Sequence, residues 1–273
     1  MGIENSHSEE STSGRVRTST SISDDLTKQV KDRYDEIASG WRAQVWVHNT
    51  EFRRKIVEFA NIDNPDASLL DVGTGAGDLA ALFEVKSVTG VDISQAMLAE
   101  GKRLHPDFNF VSGDAENLPL SDQQFDIVCS RNLLQNFNDP SRAFKEMVRV
   151  LKSGGKLLVV ESAVDESERE FPTQNLRTVE PFHPLFPSHQ MINKLFKDNG
   201  MRGIEQEVTG VHKLFLEKWC KAHGATTEQK LEIYEQCEAA PEWYKKKYEM
   251  QFYPDNVEID MILPFSILIG YKK

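Results

Sequence analysis

The chain has 273 residues, of which 39% are hydrophobic and 27% are charged, and its 43 acidic and 32 basic side chains leave a formal net charge of −11. This composition is typical of a soluble globular protein, and the length suits one large domain or a domain with a cap. The excess of negative charge argues against a nucleic acid partner, because proteins that bind phosphates carry basic patches.

From the sequence we expect neither a secretory signal nor a membrane span. Its first ten residues lack the apolar core of a secretory signal, and no apolar run approaches the roughly 18 residues that cross a bilayer. Three scattered cysteines, Cys129, Cys220 and Cys237, are too few for a disulfide framework or a zinc cluster. We therefore expect an intracellular, cytoplasmic enzyme without a membrane span.

The N-terminal part of the chain is predicted to be a tail followed by helices. Residues 1–23 include ten serines or threonines and almost no large apolar side chains, which is typical of a disordered tail. Over 24–61 apolar residues such as Val30 and Tyr34 recur at helical spacing. We expect one domain over 24–273, in which 24–61 is a helical cap element.

Between residues 68 and 161, short apolar runs alternate with helical patterns. Continuous runs of aliphatic and β-branched residues predict strands buried on both faces, as in a parallel sheet covered by helices. Their alternation with helices predicts a doubly wound α/β domain with right-handed crossovers. The predicted strands are 68–72, 88–92, 109–112, 125–130 and 156–161, and the predicted helices are 78–83, 95–103, 132–136 and 140–151.

The alternation then ends. A proline-rich stretch over 163–187 is predicted to be a loop, and a helix over 188–199 and a strand over 201–209 follow it. Residues 211–257 are predicted to be mostly helical, and the apolar run 265–271 to be the last strand. A long insertion before a final core strand is most simply a lid over the ligand edge of the sheet, so both long segments are assigned as cap elements.

The strongest local signal is the sequence L-L-D-V-G-T-G-A-G-D at residues 69–78. A buried strand runs into a turn with three glycines, which let a ligand approach the backbone closely. The predicted helix behind this turn would present free N–H groups to an anion, either a pyrophosphate or a carboxylate. Dinucleotide sites favour G-x-G-x-x-G, whereas Asp78 occupies the place of the third glycine. A dinucleotide-dependent oxidoreductase is therefore a weaker alternative.

Two further acids follow the next two strands. Asp92 ends the second predicted strand, where a carboxylate can accept hydrogen bonds from both hydroxyls of a ribose. Asp114 follows the third, where a carboxylate can accept a hydrogen bond from an exocyclic amine such as that of adenine. Because parallel strands end at one edge of a sheet, both acids are expected beside the glycine turn.

Five elements together resemble the class I S-adenosylmethionine-dependent methyltransferases, above all the small-molecule subgroup that includes the ubiquinone/menaquinone C-methyltransferases. They are D-V-G-T-G-A-G, G-V-D-I-S, G-D-A-E-N-L-P, F-D-I-V-C-S and L-K-S-G-G-K-L, and the resemblance covers about half of the chain. It implies a Rossmann-like methyltransferase fold with a mostly parallel seven-stranded sheet, and S-adenosyl-L-methionine as the cofactor. It further implies methyl transfer to O, N or C of a small-molecule acceptor, such as a secondary metabolite.

The resemblance also implies roles for single residues. Asp71 and the glycine backbone would hold the methionine end of the cofactor, Asp92 would bind the ribose, and Asp114 would contact the adenine edge. Ser130 and Arg131 would face the sulfonium and the entrance for the acceptor. The residues expected at the cofactor are Tyr34, Asp71, Gly73, Thr74, Gly75, Gly77, Asp92, Ile93, Met97, Asp114, Ala115, Ser130 and Arg131.

A general base is needed only where the acceptor must lose a proton early, as a phenol or an acidic carbon does. The candidates are Glu180, His183 and His189 near the proline-rich loop, since histidine has a suitable intrinsic pKa. His189 could instead cap a helix, and His183 could pack between prolines. His48 is a linker residue or part of the substrate wall. No metal site is predicted, because His183 and His189 lack a third ligand.

No residue stands out as the base, which leaves a second function open. The alternative is a methyltransferase-like protein that binds cofactor or substrate without methyl transfer, such as a cyclase or a binding module. The sequence specifies neither the acceptor nor the oligomeric state.

Overall fold

The computed structural model describes residues 19–40 and 49–273 of the chain. Residues 1–18 of the predicted tail therefore lie outside the described residues, as does His48. In the part of the chain that is described, no helix is long and apolar enough to cross a membrane.

The centre of the molecule is one eight-stranded sheet in which the first five strands are mutually parallel. The spatial order is β3-β2-β1-β4-β5-β8-β6, and β7 pairs with β8 off this path. Strand β8 runs antiparallel to β5, β6 and β7. The strands are β1 (Ser68–Val72), β2 (Ser87–Asp92), β3 (Asn109–Ser112), β4 (Phe125–Arg131), β5 (Leu151–Ser162), β6 (Arg202–Phe215), β7 (Gln251–Tyr253) and β8 (Glu258–Tyr271).

The predicted fold class is confirmed, and the strand count needs one correction. Seven strands were predicted, and the additional one is the short β7, which forms a hairpin with the first residues of β8. The described helices are α1 (Ser19–Ile37), α2 (Thr50–Ala60), α3 (Gln95–Leu104), α4 (Ser141–Val150), α5 (Glu170–Val179), α6 (His189–Asp198), α7 (Leu216–Ala222), α8 (Thr227–Glu238) and α9 (Glu242–Lys247).

The sheet is buried on both faces, as the continuous apolar strands predict. One face packs against a layer that contains the fully buried Phe144, Met147 and Phe196. The other face packs against Phe52 and Ile56 of α2. The two layers hold the strands in place, and the strands in turn position the loops at the carboxyl ends of β1 to β4.

Two helices predicted next to these loops are not α-helices. The segment 78–83 contains only a 3-10 turn at Ala80–Leu82, and the segment 132–136 contains only a 3-10 turn at Leu134–Asn136. In the first case Phe83 already has extended φ and ψ angles, of −115° and 132°, so the segment forms no more than one turn. The glycine turn therefore has no α-helix N-terminus directly behind it.

The cap also differs from the prediction. Strands β6 and β8 stay paired beyond the end of β5, as far as Phe215 and Asp260. Helices α7, α8 and α9 lie between these two strands in the sequence. The stretch predicted to be a loop over 163–187 contains helix α5. Pro172 lies in the first turn of α5, where the backbone N–H groups have no acceptor within the helix. A proline there is compatible with the helix, so Pro172 marks its beginning and not a break.

Candidate functional site

A cavity of about 440 Å³ lies at the carboxyl ends of β1 to β4, beneath helix α1. Its walls come from the loops that follow these four strands and from one side of α1. The lining includes most of the residues expected at a cofactor, namely Tyr34, Gly73, Thr74, Gly75, Asp92, Ile93, Met97, Asp114, Ala115 and Arg131.

The glycine turn is fastened to the neighbouring strand. The N–H groups of Gly73 and Thr74 donate to the carbonyl of Val91 at 2.8 and 3.0 Å. Gly73 has a φ of 67°, and a Cβ there would lie 2.7 Å from Leu133 Cδ1. A Cβ on Gly75 would meet only Met97 Sδ, at 4.0 Å, so the backbone there faces open space in the cavity.

Asp92 connects this turn to the beginning of α3. Its Oδ2 accepts from the Gly75 N–H at 2.8 Å, and its Oδ1 accepts from the Ser94 N–H at 2.9 Å. Burial raises the pKa of Asp92, and the hydrogen bonds to its backbone donors act against that rise. A carboxylate has about four lone-pair sites, so Asp92 can still accept two hydroxyl donors from the cavity.

Helix α1 forms the lid of the cavity and is bonded both to the beginning of α3 and to the loop after β4. Asp35 accepts from Ser94 Oγ at 2.6 Å and from the Ala96 N–H at 3.1 Å, at the beginning of α3. Tyr34 OH donates to Asn136 Oδ1 at 3.4 Å. Burial, with a further contribution from the charge of Glu180, raises the pKa of Tyr34, so its hydroxyl stays protonated.

Three residues expected at the cofactor do not line the cavity. Asp71 is buried behind the turn and accepts from Thr74 Oγ1 at 2.9 Å; its burial raises its pKa to about 6. Gly77 faces the rings of His105 and Phe110, so its role there is close packing. Ser130 is fully buried in β4. Asp71 and Gly77 thus support the turn, whereas the buried Ser130 hydroxyl has no hydrogen-bond partner among the described residues.

The loop after β4 rests on a buried acid that the sequence reasoning missed. Glu161 Oε1 accepts from the N–H groups of Leu133 and Leu134 at 2.8 and 2.9 Å. Burial raises the pKa of Glu161 to about 8, and the nearby Arg131 acts against that rise. Burial likewise lowers the pKa of Arg131 to about 10. Glu161 was overlooked because an acid inside an apolar strand looks like the end of that strand.

A second cavity, of about 150 Å³ and mostly apolar, lies between the cap and the sheet. Its walls include Leu176 of α5, Trp219 of α7 and Met261 of β8. Asn132 lines both this cavity and the larger one. It has a φ of 48°, and its Oδ1 accepts from the N–H and the hydroxyl of Ser162 at 3.0 and 3.2 Å. Asn132 is thus a shared wall of the two cavities.

None of the three residues nominated as a general base lines either cavity. Glu180 Oε1 accepts from Arg33 Nε at 2.8 Å, and its Oε2 lies 3.4 Å from His183 Nδ1. Burial alone would raise the pKa of Glu180, but His183, His223 and Arg33 outweigh it and lower this pKa to about 2. These contacts connect α1 with the cap.

His189 is likewise placed away from both cavities. It is the first residue of α6, and its Nδ1 lies 2.7 Å from Ser266 Oγ of β8. Burial lowers its pKa. The side chain of Ser188 caps the helix by accepting from the Met191 N–H, so the capping role falls to Ser188 and not to His189.

Residues 70–159 match the family model described as a methyltransferase domain. A demethylmenaquinone methyltransferase from Thermotoga maritima is 36% identical over 148 residues, which are 53% of this chain and 63% of that protein. The chain thus spans less than two thirds of the length of this relative.

Two solved structures show the same fold. The YcgJ protein from Bacillus subtilis superposes with a TM-score of 0.74 at 23% identity, over 81% of this chain and 97% of that one. The [4+2]-cyclase SpnF superposes with a TM-score of 0.55 at 20% identity, over 81% of this chain and 80% of that one. The predicted resemblance to class I methyltransferases and the predicted fold are therefore confirmed.

Proposed function

We propose that the protein transfers a methyl group from S-adenosyl-L-methionine to a small-molecule acceptor. The observation that carries this proposal is the larger cavity, which gathers the glycine turn, Asp92 and Asp114 beneath α1. The match of residues 70–159 to a methyltransferase domain supports it.

The chemistry of the larger cavity fits that cofactor. S-adenosyl-L-methionine carries a sulfonium, an ammonium and a ribose but no phosphate, and the wall includes the acids Asp92, Asp114 and Glu116. Ile93 and Met97 supply apolar surface for a flat base. In this assignment Asp92 holds the ribose hydroxyls, Asp114 faces the adenine edge, and the backbone of the glycine turn lies along the methionine part.

The cofactor supplies an electrophilic methyl group on a good leaving group, so the protein has mainly to align and enclose the reactants. Helix α1 covers one side of the cavity, and Tyr34 connects it to the loop after β4 through Asn136. Asn132 lines both cavities, so the acceptor atom would meet the methyl group beside this residue. As the new bond to carbon forms, the bond from carbon to sulfur breaks and its electron pair remains on sulfur.

The second cavity indicates an acceptor with an apolar body. The Thermotoga relative, whose match covers 53% of this chain, is named a demethylmenaquinone methyltransferase, and demethylmenaquinone is an apolar ring compound. We therefore infer an apolar, ring-containing acceptor and leave its identity to the following test.

A cyclase or a binding module remains the second candidate function. The likeness to the cyclase SpnF favours it, as does the position of Glu180, His183 and His189 outside both cavities. The two functions differ in one product, since only methyl transfer converts the cofactor to S-adenosylhomocysteine.

Calorimetric titration of the purified chain with S-adenosylhomocysteine tests the cofactor site, and saturable binding with one site per chain is expected. Incubation with S-adenosyl-L-methionine and a panel of hydroquinones, naphthols and anilines then tests turnover. Release of S-adenosylhomocysteine that depends on one of these acceptors supports methyl transfer. No binding at millimolar concentration would overturn the proposal.

A further inference from the structure

His223 is a histidine in the wall of the second cavity that the sequence reasoning did not single out. It follows directly after α7, and its ring stacks on Trp219 with centroids 4.1 Å apart and an angle of 25°. Its backbone carbonyl accepts from an NH2 nitrogen of Arg33 at 2.6 Å. The residue is therefore held both through its ring and through its main chain.

The hydrogen bonding of this ring fixes its tautomer. Nδ1 lies 2.8 Å from the carbonyl oxygen of Trp219, and a carbonyl can only accept. Nδ1 must therefore carry the hydrogen, which leaves the lone pair on Nε2 in a neutral ring. No described residue bonds to Nε2.

The surroundings keep the ring neutral at physiological pH. Burial lowers the pKa of His223 to about 4. Glu180 acts against this effect, whereas Arg33 and His183 add to it. A neutral imidazole whose Nε2 lone pair has no partner among the described residues can accept a hydrogen bond from a ligand in the second cavity.

We propose that Nε2 of His223 accepts a hydrogen bond from a hydroxyl group of the acceptor, so that the second cavity selects phenol-like molecules over their ethers. This inference rests on the proposed function, because it assigns the second cavity to the acceptor. The cavity has room for one ring, since cavities of about 150 Å³ in protein cores bind benzene. Trp219 and Met261 would contact that ring, and His223 would recognise its hydroxyl.

The test uses two probes with the same ethyl-substituted ring, one with a free hydroxyl and one in which a methyl group replaces the hydroxyl hydrogen. 4-Ethylphenol offers an O–H, and 4-ethylanisole has the same ring with a methyl ether in its place. Binding of each to the full chain, saturated with S-adenosylhomocysteine, is measured by ligand-observed NMR titration. A neutral hydrogen bond corresponds to about a twofold to tenfold change in affinity, so the phenol should bind more tightly by that factor.

Two variants separate recognition from support of the fold. In His223→Asn the side-chain amide can still donate to the Trp219 carbonyl, but nothing replaces Nε2. In His223→Gln the amide oxygen can reach the position of Nε2 and accept in its place. The preference for the phenol should vanish in the Asn variant and return at least partly in the Gln variant. A purely structural role of His223 would change the affinity for both probes equally.

The inference is overturned if wild-type protein binds the two probes equally, or if His223→Asn keeps the preference for the phenol. A failure of the proposed function gives a different result, namely no binding of S-adenosylhomocysteine. In that case a probe titration without the nucleoside still decides whether His223 recognises a hydroxyl.

Discussion

At the scale of single residues, Asp92 has two roles: it is the proposed ligand of the ribose hydroxyls, and it holds the glycine turn in its conformation. Its two oxygens already hold the N–H groups of Gly75 and Ser94, and it lines the larger cavity. Asp92→Ala should weaken S-adenosylhomocysteine binding by about 1.5–3 kcal/mol, the range for hydrogen bonds to charged groups. The measurement is calorimetric titration.

A matched control distinguishes the carboxylate from a general loss of charge. Glu58 is an exposed acid of α2 that pairs with Arg54. Glu58→Ala removes the same charge and should leave the affinity unchanged. Equal affinity of Asp92→Ala and the wild type would refute the ribose assignment.

Glu161 predicts a distinct dependence of stability on pH. Burial raises its pKa from 4.5 to about 8, so between these values the unfolded chain releases a proton that the folded chain retains. Its contribution is therefore fully present below the lower value, and it is lost as the pH rises through the folded pKa. In Glu161→Gln the free energy of unfolding should fall less steeply over that interval, by up to about 1.4 kcal/mol per pH unit.

Urea denaturation at several pH values measures this effect. Gln can still accept from the N–H groups of Leu133 and Leu134, so the loop after β4 should keep its shape. Glu58→Gln serves as the exposed control. Parallel pH profiles for Glu161→Gln and the wild type would show that Glu161 titrates normally in the fold.

At the scale of elements, the sequence was informative where contacts are local or follow from a regular sheet. Strands β1 and β3 have the predicted bounds, and Asp92 and Asp114 meet at one edge because parallel strands end there. The helix predicted after the glycine turn is only a 3-10 turn, because the chain becomes extended at Phe83. Apolar periodicity does not carry that information.

The sequence indicates which segments form the cap, but it does not indicate which cap residues line a cavity. His223 and Asn132 are 91 positions apart in the sequence, and they share one cavity only because β6 and β8 carry α7 back over the sheet. His183 and Glu180 were candidate bases because they lie in the proline-rich stretch after the fifth strand and because histidine has a suitable intrinsic pKa. In the fold they are buried in the contact between the cap and α1.

That contact predicts a coupling between the lid and the cap. Arg33 of α1 donates to Glu180 and to the His223 carbonyl, and its side chain is only 12% exposed. Arg33→Ala should accelerate the dissociation of S-adenosylhomocysteine by about tenfold or more, because α1 loses charged hydrogen bonds worth about 1.5–3 kcal/mol. Stopped-flow displacement measures the rate.

Lys28→Ala is the matched control on the same helix, since Lys28 pairs only with the exposed Asp32 in the described part of the chain. Its dissociation rate should equal that of the wild type, as exposed pairs of this kind contribute little. An unchanged rate in Arg33→Ala would mean that α1 opens independently of the cap.

At the scale of the whole molecule, the distribution of charge favours one of the two classes of nucleotide that bind at glycine turns. It favours S-adenosyl-L-methionine, which has no phosphate, over a dinucleotide with a pyrophosphate. The chain carries a net charge of −11, and Asp92, Asp114, Glu116 and Asp139 all line the larger cavity. Arg131 and Arg142 are the basic side chains among the described lining residues. A pyrophosphate would meet this acidic wall without the α-helix N-terminus that usually binds it.

The thermal stability of the full chain should therefore respond to one nucleotide and not to the other. At 100 times its dissociation constant, S-adenosylhomocysteine should stabilise the folded chain by about 2.7 kcal/mol, which corresponds to a rise in Tm of roughly 5–10 °C. NAD at the same concentration should leave Tm within about 1 °C, because the four acids of the wall repel its two phosphates and no α-helix begins directly behind the glycine turn. The thermal scans are run at low ionic strength, because salt would screen the repulsion between the acids of the cavity and the phosphates of NAD. A rise in Tm with NAD that equals the rise with S-adenosylhomocysteine would restore the oxidoreductase alternative, because it would show that the turn accepts a pyrophosphate despite the acids around it.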